Sequence, residues 1–315
     1  MKATAIAHAN IAFTKFWGKA VPELNIPFNN SISMNLSNAI TTTTVEFSDK
    51  YDQDIVDIVG TELKENEKQR IIKHLDKIRK LAGIETKARI VSKNSFPKSA
   101  GIASSASGHA ALALAASAAA GLRLNEKELS CLARLGSGSA CRSIPAGFAE
   151  WHKGNSHDTS YATQICKPED FDILDIVAIT SGEEKKVSTT EGHELVHTSP
   201  LFPSRIKSVE EFNEEIKKAI LNNDFKTFGG YTEKDALSLH AIMITSSPSI
   251  RYWNQGSLKV MDMVEGLRKN DIDAYFTIDA GPNIHIITLP EFKDEVTKHL
   301  DELKEFVRNY IINSP

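Results

Sequence analysis

Residues 97–108 read Pro97-Lys98-Ser99-Ala100-Gly101-Ile102-Ala103-Ser104-Ser105-Ala106-Ser107-Gly108, and an alanine-rich apolar run follows, from Ala110 to Leu122. Glycine and small side chains let backbone N–H groups approach an anion closely. A helix opening at this point aims the positive end of its dipole at the same place. Ser104 and Ser105 add hydroxyl donors in its first turn. The pattern fits a phosphate cradle, and it is not a Walker A loop, because no Gly-Lys-Ser/Thr closes it. The same residues also fit a flexible entry into a helix packed closely on a sheet, and spacing alone does not separate the two readings.

Working outward, the flanking segments alternate strand and helix. Ala3–Ala7, Ser31–Leu36, Thr41–Phe47 and Ala88–Val91 carry the period-2 or β-branched character of strands. Residues 62–80 place Leu63, Ile71, Ile72, Leu75 and Ile78 on one helical face, and Gly83 follows as a stop signal. Beyond residue 173 the spacing predicts a strand over Ile173–Ile179 and a polar, charged loop over 181–192. It then predicts helices over 207–221, 224–244 and 257–269, strands over Ala274–Ile278 and Ile284–Thr288, and a last helix from about Glu291 to Tyr310. With no fixed-period repeat and no Gly/Ser/Pro-rich linker, the pattern reads as an α+β chain of two halves, 1–172 and 173–315, sharing one interface.

Composition excludes several classes. The 315 residues carry 37 Lys and Arg against 41 Asp and Glu, so a net charge of −4 gives no general field to hold nucleic acid. An apolar fraction of 41% argues for a folded chain. The longest apolar run is too short and too rich in alanine to span a bilayer, and Met1–Thr4 does not resemble a signal peptide. Three scattered cysteines, Cys131, Cys141 and Cys166, read as free thiols in a reducing, cytoplasmic setting. His74, His152, His157, His197, His240 and His285 show no metal-ligand spacing, and Trp151 and Trp253 read as packing residues.

Three further segments carry polar chemistry. In Gly136-Ser137-Gly138-Ser139-Ala140-Cys141-Arg142-Ser143, alternating Gly and Ser expose backbone, and Arg142 offers a planar fork for a carboxylate or phosphate. Alone it also reads as an ordinary turn. In Phe276-Thr277-Ile278-Asp279-Ala280-Gly281-Pro282-Asn283, an acid ends an apolar strand, either as a poised base or as the residue that starts the turn. In His8–Lys19, Lys15 and Lys19 stand four apart with Asn10 nearby, able to clamp a polyanion or simply to snorkel.

Taken in order, Ala7-His8-Ala9-Asn10-Ile11-Ala12, Asn30-Ser31-Ile32-Ser33-Met34, the serine loop, Gly136–Ser143 and Asp279–Asn283 resemble the mevalonate diphosphate decarboxylase family of the GHMP kinase superfamily. The resemblance implies the two-lobed GHMP kinase fold. Its N-terminal lobe is like the second domain of ribosomal protein S5 and binds ATP, its C-terminal lobe is ferredoxin-like, and a cleft lies between them. It also implies ATP and Mg²⁺ as cofactors, a small phosphorylated mevalonate as substrate, and a homodimer. ATP would lay its phosphates on Gly101, Ala103, Ser104, Ser105, Ser107 and Gly108, with Mg²⁺ near Ser104 and Ser105. The C3 hydroxyl would take the γ-phosphoryl group, and phosphate and CO₂ would then leave. In this scheme Asp279 orients or deprotonates the hydroxyl, Lys15 meets the carboxylate and the migrating charge, Arg142 grips the carboxylate, and Asn10 completes the catalytic set. Phe16, Lys19, Ser137, Ser139, Thr189, Thr190 and His193 would face the rest of the substrate.

Two positions depart from the family pattern. Phe16 stands in Lys15-Phe16-Trp17-Gly18-Lys19 where Tyr is usual, and Thr190 stands in Ser188-Thr189-Thr190-Glu191-Gly192-His193 where Arg is common. In the family both are associated with the 5-diphosphate. A pocket without them would grip that group less well, or would suit a 5-monophosphate, unless Lys19, His193 or Arg205 compensates. Because the diphosphate activity is the commoner one in the family, the resemblance makes decarboxylation of mevalonate 5-diphosphate to isopentenyl diphosphate the expected activity. Decarboxylation of mevalonate 5-phosphate to isopentenyl phosphate is the alternative. A 3-kinase that stops at the phosphate ester and a non-catalytic nucleotide-binding protein come further behind.

Overall fold

The computed structural model describes residues 1–96, 104–181 and 187–315. In the first part, strands β1 (Lys2–Ala12), β4 (Ser31–Phe47), β5 (Ile55–Ile58), β6 (Ala88–Asn94), β7 (Phe148–Trp151) and β8 (Ala162–Cys166) form one mixed sheet. A short ribbon of β2 (Lys19–Val21) and β3 (Ile26–Pro27) stands apart. The 17-residue β4 is the spine of the sheet. It pairs with β1 along one side, and with β7 and β6 in turn along the other.

β4 joins the two strands expected at 31–36 and 41–47 across an irregularity. Between the pairs His8↔Ile40 and Asn10↔Asn35 it carries several extra residues. The C-terminal segment anchors that excursion, because Ser37 N–H donates to the Ser314 carbonyl and Asn38 Nδ2 to the Ile312 carbonyl.

Three helices cover one face of this sheet: α1 (Glu65–Ala82), α2 (Ser104–Ala119) and α3 (Glu126–Arg134). The Ala-rich composition of α2 explains its placement. Ala110, Ala111, Ala113, Ala115 and Ala116 are all fully buried, and side chains this small let the helix lie close to β1 and β4 with neighbours on every side. α1 ends at Gly83 as its sequence requires, with φ +66° and the N–H returned to the last turn of the helix.

The second part is an antiparallel sheet in the order β10 (Ala274–Thr277), β11 (Ile284–Thr288), β9 (Leu174–Ile179), β12 (Asn309–Asn313). It is accompanied by α4 (Thr189–Leu195), α5 (Phe202–Leu221), α6 (Phe225–Ile244), α7 (Gln255–Lys269) and α8 (Lys293–Glu302). Two expectations are corrected here. The helix anticipated to Tyr310 stops at Glu302, turns through residues 303–308, and gives way to β12 beside β9. Tyr310, Ile311 and Ile312 are aromatic or β-branched, and pairing with Ile176–Ala178 outweighs the helical spacing. The region read as loop to residue 192 already contains the first turn of α4, capped by Ser188 and Glu191 in a reciprocal pair of bonds.

The two sheets share a core. Ile11, Phe13, Ile32, Met34 and Leu36 from the first pack with Phe171, Ile216, Ile220, Phe228 and Ile287 from the second. Phe13, Phe148, Phe171 and Phe228 form a chain of ring contacts with centroids 4.7–6.3 Å apart. Such pairs each contribute about 0.5–1.5 kcal/mol beyond the area they bury. This junction fixes the end of β1, and with it residues 12–19, against the C-terminal helices. Among the described residues no helix is long and apolar enough to cross a membrane.

Candidate active site

A cavity of about 290 Å³ opens where the end of β1, the 3₁₀ turn Gly138–Ser143, α4 and the loop after β10 meet. Asn10, Lys15, Phe16, Lys19, Ser105, Ser137, Ser139, Arg142, Thr189, Thr190, His193 and Asp279 all line it. Segments more than 260 residues apart in sequence therefore converge on one volume, as Lys15 and Asp279 do.

At its floor the side chains are buried and locked. Lys15 is 2% exposed, and its Nζ donates to Asp279 Oδ1 at 2.7 Å and to the Ala12 carbonyl at 2.6 Å. Its backbone N–H donates to Asp235 Oδ2 at 2.9 Å, and the other oxygen of that fully buried carboxylate accepts from Arg205 at 2.9 Å. Thr14 is tied to α5 through Asn213 at 2.7 Å. Lys15 is thus aimed by α5 and α6, from the opposite part of the molecule. Asp279 stands at the end of β10, where Gly281 N–H returns to its carbonyl at 2.8 Å, and its side chain remains 31% exposed towards the cavity.

Arg142 is 2% exposed and stacks over Trp151 at 5.7 Å. Its Nη1 donates to Ser31 Oγ at 2.6 Å and Nη2 to Asn10 Oδ1 at 3.4 Å, while Nε is buried with no partner. Asn10 in turn donates to Ser143 Oγ at 2.8 Å and the Ser139 carbonyl at 3.2 Å. Burial weakens the guanidinium's hold on its proton, with Asp279 and Cys141 acting the other way. Among the described residues no carboxylate forms an ion pair with Arg142. A buried guanidinium that borders an open cavity and has no ion-pair partner among the described residues suits an incoming carboxylate.

At the rim the character changes. Lys19 faces Arg70 of α1, and burial first, then Arg70, lowers its pKa, with Glu194 opposing. Arg70 lines the same cavity, and nothing in its sequence context singled it out from the charged face of α1. His193 is held between the rings of Phe16 and Trp17 at 4.4 and 4.6 Å. Gly192 makes this possible, because a Cβ there would collide with the Trp17 indole. His193 Nδ1 accepts from Gly18 N–H at 2.8 Å, so the ring proton sits on Nε2. Burial, aided by Lys19, lowers its pKa to about 3. His193 can donate a hydrogen bond to an anion but brings no charge. Arg205 does not reach the cavity, since its guanidinium is committed to Asp235. Of Lys19, His193 and Arg205, only Lys19 brings charge to the rim, and Arg70 is the second cation there.

The serine helix faces two cavities. Ser105 lines the large one and, with Ser104, Gly108 and Arg70, a second of about 160 Å³. Ser107 is a correction. It lines neither cavity, is fully buried, and accepts from Thr41 Oγ1 at 2.7 Å. At 100° per residue it lies about 60° from Ser104, on the side away from Ser105 and Gly108 and towards β4. Gly101 and Ala103 lie outside the described residues.

Comparison with known proteins places this arrangement. Residues 7–162 match the diphosphomevalonate decarboxylase-like N-terminal domain, and residues 175–311 match the mevalonate 5-diphosphate decarboxylase C-terminal domain. The chain is 38% identical to the diphosphomevalonate decarboxylase of Candida albicans, over 99% of this chain and 92% of that protein. The chain belongs to the diphosphomevalonate decarboxylase family. It is also 34% identical to the phosphomevalonate decarboxylase of Haloferax volcanii, over 94% of this chain and 91% of that one. A family structure solved in complex with MVAPP, AMPPCP and magnesium superposes with a TM-score of 0.94 at 36% identity, covering 100% of this chain and 96% of that one. The GHMP kinase fold expected from the sequence is therefore shown.

Proposed function

We propose that this decarboxylase converts mevalonate 5-diphosphate and ATP to isopentenyl diphosphate, CO₂, phosphate and ADP. The observation that carries the reading is the single cavity in which Lys15, Arg142 and Asp279 meet the first turn of the serine helix. The C3 hydroxyl oxygen attacks the γ-phosphorus while Asp279 orients it and takes up its proton. Lys15, bonded to Asp279 at 2.7 Å, faces the charge as it moves. The C3–O bond then breaks with phosphate leaving, the C1–C2 bonding pair becomes the C2=C3 double bond, and C1 departs as CO₂. Arg142 holds the carboxylate until that step.

ATP would straddle the serine helix, with its γ-phosphate in the large cavity beside Ser105 and its nucleoside in the second cavity. Mg²⁺ fits as an ion carried in on ATP. Among the described residues there is no cluster of three or more His, Cys, Asp or Glu to cage one, whereas Ser105 and Asp279 offer hydroxyl and carboxylate oxygens to a phosphate-bound ion. It supplies neutralisation of the phosphate charge. We also propose a cytoplasmic homodimer; light scattering tests the dimer, and fractionation of cells tests the location.

The 5-phosphate remains the second reading, because Phe16 and Thr190 lack the donors usual in the family. The diphosphate is placed first because Arg70 and Lys19 put two cations at the rim, opposed there by Glu194. Parallel kcat/KM values for mevalonate 5-diphosphate and 5-phosphate, read as CO₂ release, test the choice. A higher value for the monophosphate would reverse it.

A further inference from the structure

Behind the second cavity lies a buried pair of histidines that the reaction above does not use. His74 of α1 is 1% exposed and His109 of α2 is 7% exposed, with their Nδ1 atoms 3.0 Å apart. His74 Nε2 is 2.9 Å from the Leu132 carbonyl, which can only accept. Gly136 closes over the pair, and a Cβ at that position would collide with both imidazoles.

These contacts determine where each proton sits. The Leu132 carbonyl requires the His74 proton on Nε2. Burial lowers the pKa of His74 to about 4, so the ring is neutral at pH 7 and its Nδ1 is a bare acceptor. His109 must then donate from its own Nδ1. Burial, then the neighbouring His74, pushes its pKa well below the usual value, so it too is neutral and its Nε2 keeps a free lone pair. No described group bonds to that nitrogen, and the His109 side chain lines the second cavity.

The rest of that cavity combines polar and apolar surfaces. Ser104, Ser105, Gly108, His109 and Leu112 occupy one face of α2, so His109 stands one helical turn beyond the serine hydroxyls. Gly108 has open space where its Cβ would be. Ile58, Ile71 and Ile90 supply apolar walls.

We propose that His109 is the base-reading residue of the nucleotide pocket, its Nε2 accepting a hydrogen bond from the exocyclic amine of adenine, so that the pocket favours an amino-purine triphosphate over an oxo-purine one. This rests on the placement of the nucleoside in the second cavity. His74 acts through His109 as a positioning residue, because its bond to Leu132 fixes which nitrogen of His109 faces the ligand.

Competition against a fluorescent ATP analogue, with Mg²⁺ and the full chain, gives the dissociation constants of ATP, purine riboside triphosphate, ITP and 2′-deoxy-ATP. Purine riboside triphosphate lacks the amine and should bind at least about tenfold more weakly than ATP. ITP, which sets an oxygen acceptor against an acceptor, should be weaker still, and 2′-deoxy-ATP should stay within about twofold of ATP. Equal binding of ATP and ITP overturns the proposal. So does a loss confined to 2′-deoxy-ATP, which would put the lone pair on the ribose. In His109→Phe the ATP-to-ITP ratio should fall towards one, with circular dichroism checking the fold. If that variant does not fold, the analogue series on the unaltered chain still decides. Strong preference for ATP with no CO₂ release would support the base-reading role and refute the proposed reaction. CO₂ release driven equally by ATP and ITP would do the reverse.

Discussion

The floor and the rim of the large cavity are built on different physical terms. Asn10, Lys15 and Arg142 at the floor are no more than 5% exposed and are held by side-chain and backbone bonds from both parts of the molecule. At the rim, Arg70, Thr189 and Thr190 are exposed on the ends or outer faces of helices. The floor can hold atoms in fixed geometry while charge moves, which decides whether the reaction occurs. In the proposed reaction the rim would grip the remote phosphate, and that would decide which ester enters. Substitutions should divide the same way, with the floor governing kcat and the rim governing the ratio between substrates.

The largest effect expected is from Asp279→Asn, which keeps the shape but removes the base and the partner of Lys15. It should lower kcat by about 10³-fold with circular dichroism unchanged. Near-normal turnover would remove Asp279 from its assigned role. Arg142→Gln should lower kcat/KM by about 10²-fold, because among the described residues it withdraws the only guanidinium at the floor. If KM alone changed, Arg142 would belong with the rim.

Acid should cost stability at both cavities. Burial holds His193 at about 3 and His74 at about 4, below the 6.5 of an exposed imidazole. Below pH 6.5 the unfolded chain takes up protons that the folded chain refuses. Stability is therefore full above 6.5 and is lost as the pH falls from there towards 3–4, by about 2 kcal/mol per histidine at pH 5. Urea midpoints at pH 7 and pH 5 measure this, and His193→Gln should flatten the slope. An unchanged slope would mean that His193 is charged in the fold.

The smallest change sharpens the rim. Phe16→Tyr with Thr190→Arg restores the donors usual in the family. It should raise the preference for the diphosphate over the monophosphate by about tenfold, mostly through KM. An unchanged ratio would show that Lys19 and Arg70 already saturate the phosphate contacts.

What could be read in the sequence follows from the same division. The catalytic candidates were legible because each lies in a short, compositionally odd segment: Gly-Ser alternation around Arg142, an acid before Gly-Pro at Asp279, lysines among aromatics at 15–19. The α+β pattern was equally visible, since most of the strands and helices carry their own periodicity. Arg70, Asp235 and the His74–His109 pair were not legible. Each sits in a helix whose charges or alanines look ordinary, and only packing between distant segments gives them partners. Ser107 misled for the opposite reason, because a run of serines on a helix points in all directions. The C-terminal strand was hidden because Tyr310–Ile312 continue a helical spacing that β9 overrides.

The most direct test is stoichiometric. Purified protein with ATP, Mg²⁺ and mevalonate 5-diphosphate is assayed for ADP and CO₂ in the same sample. One CO₂ for each ADP is the result we expect. ADP formed without CO₂, or no turnover at all, would contradict the reading of this cavity as a decarboxylase site.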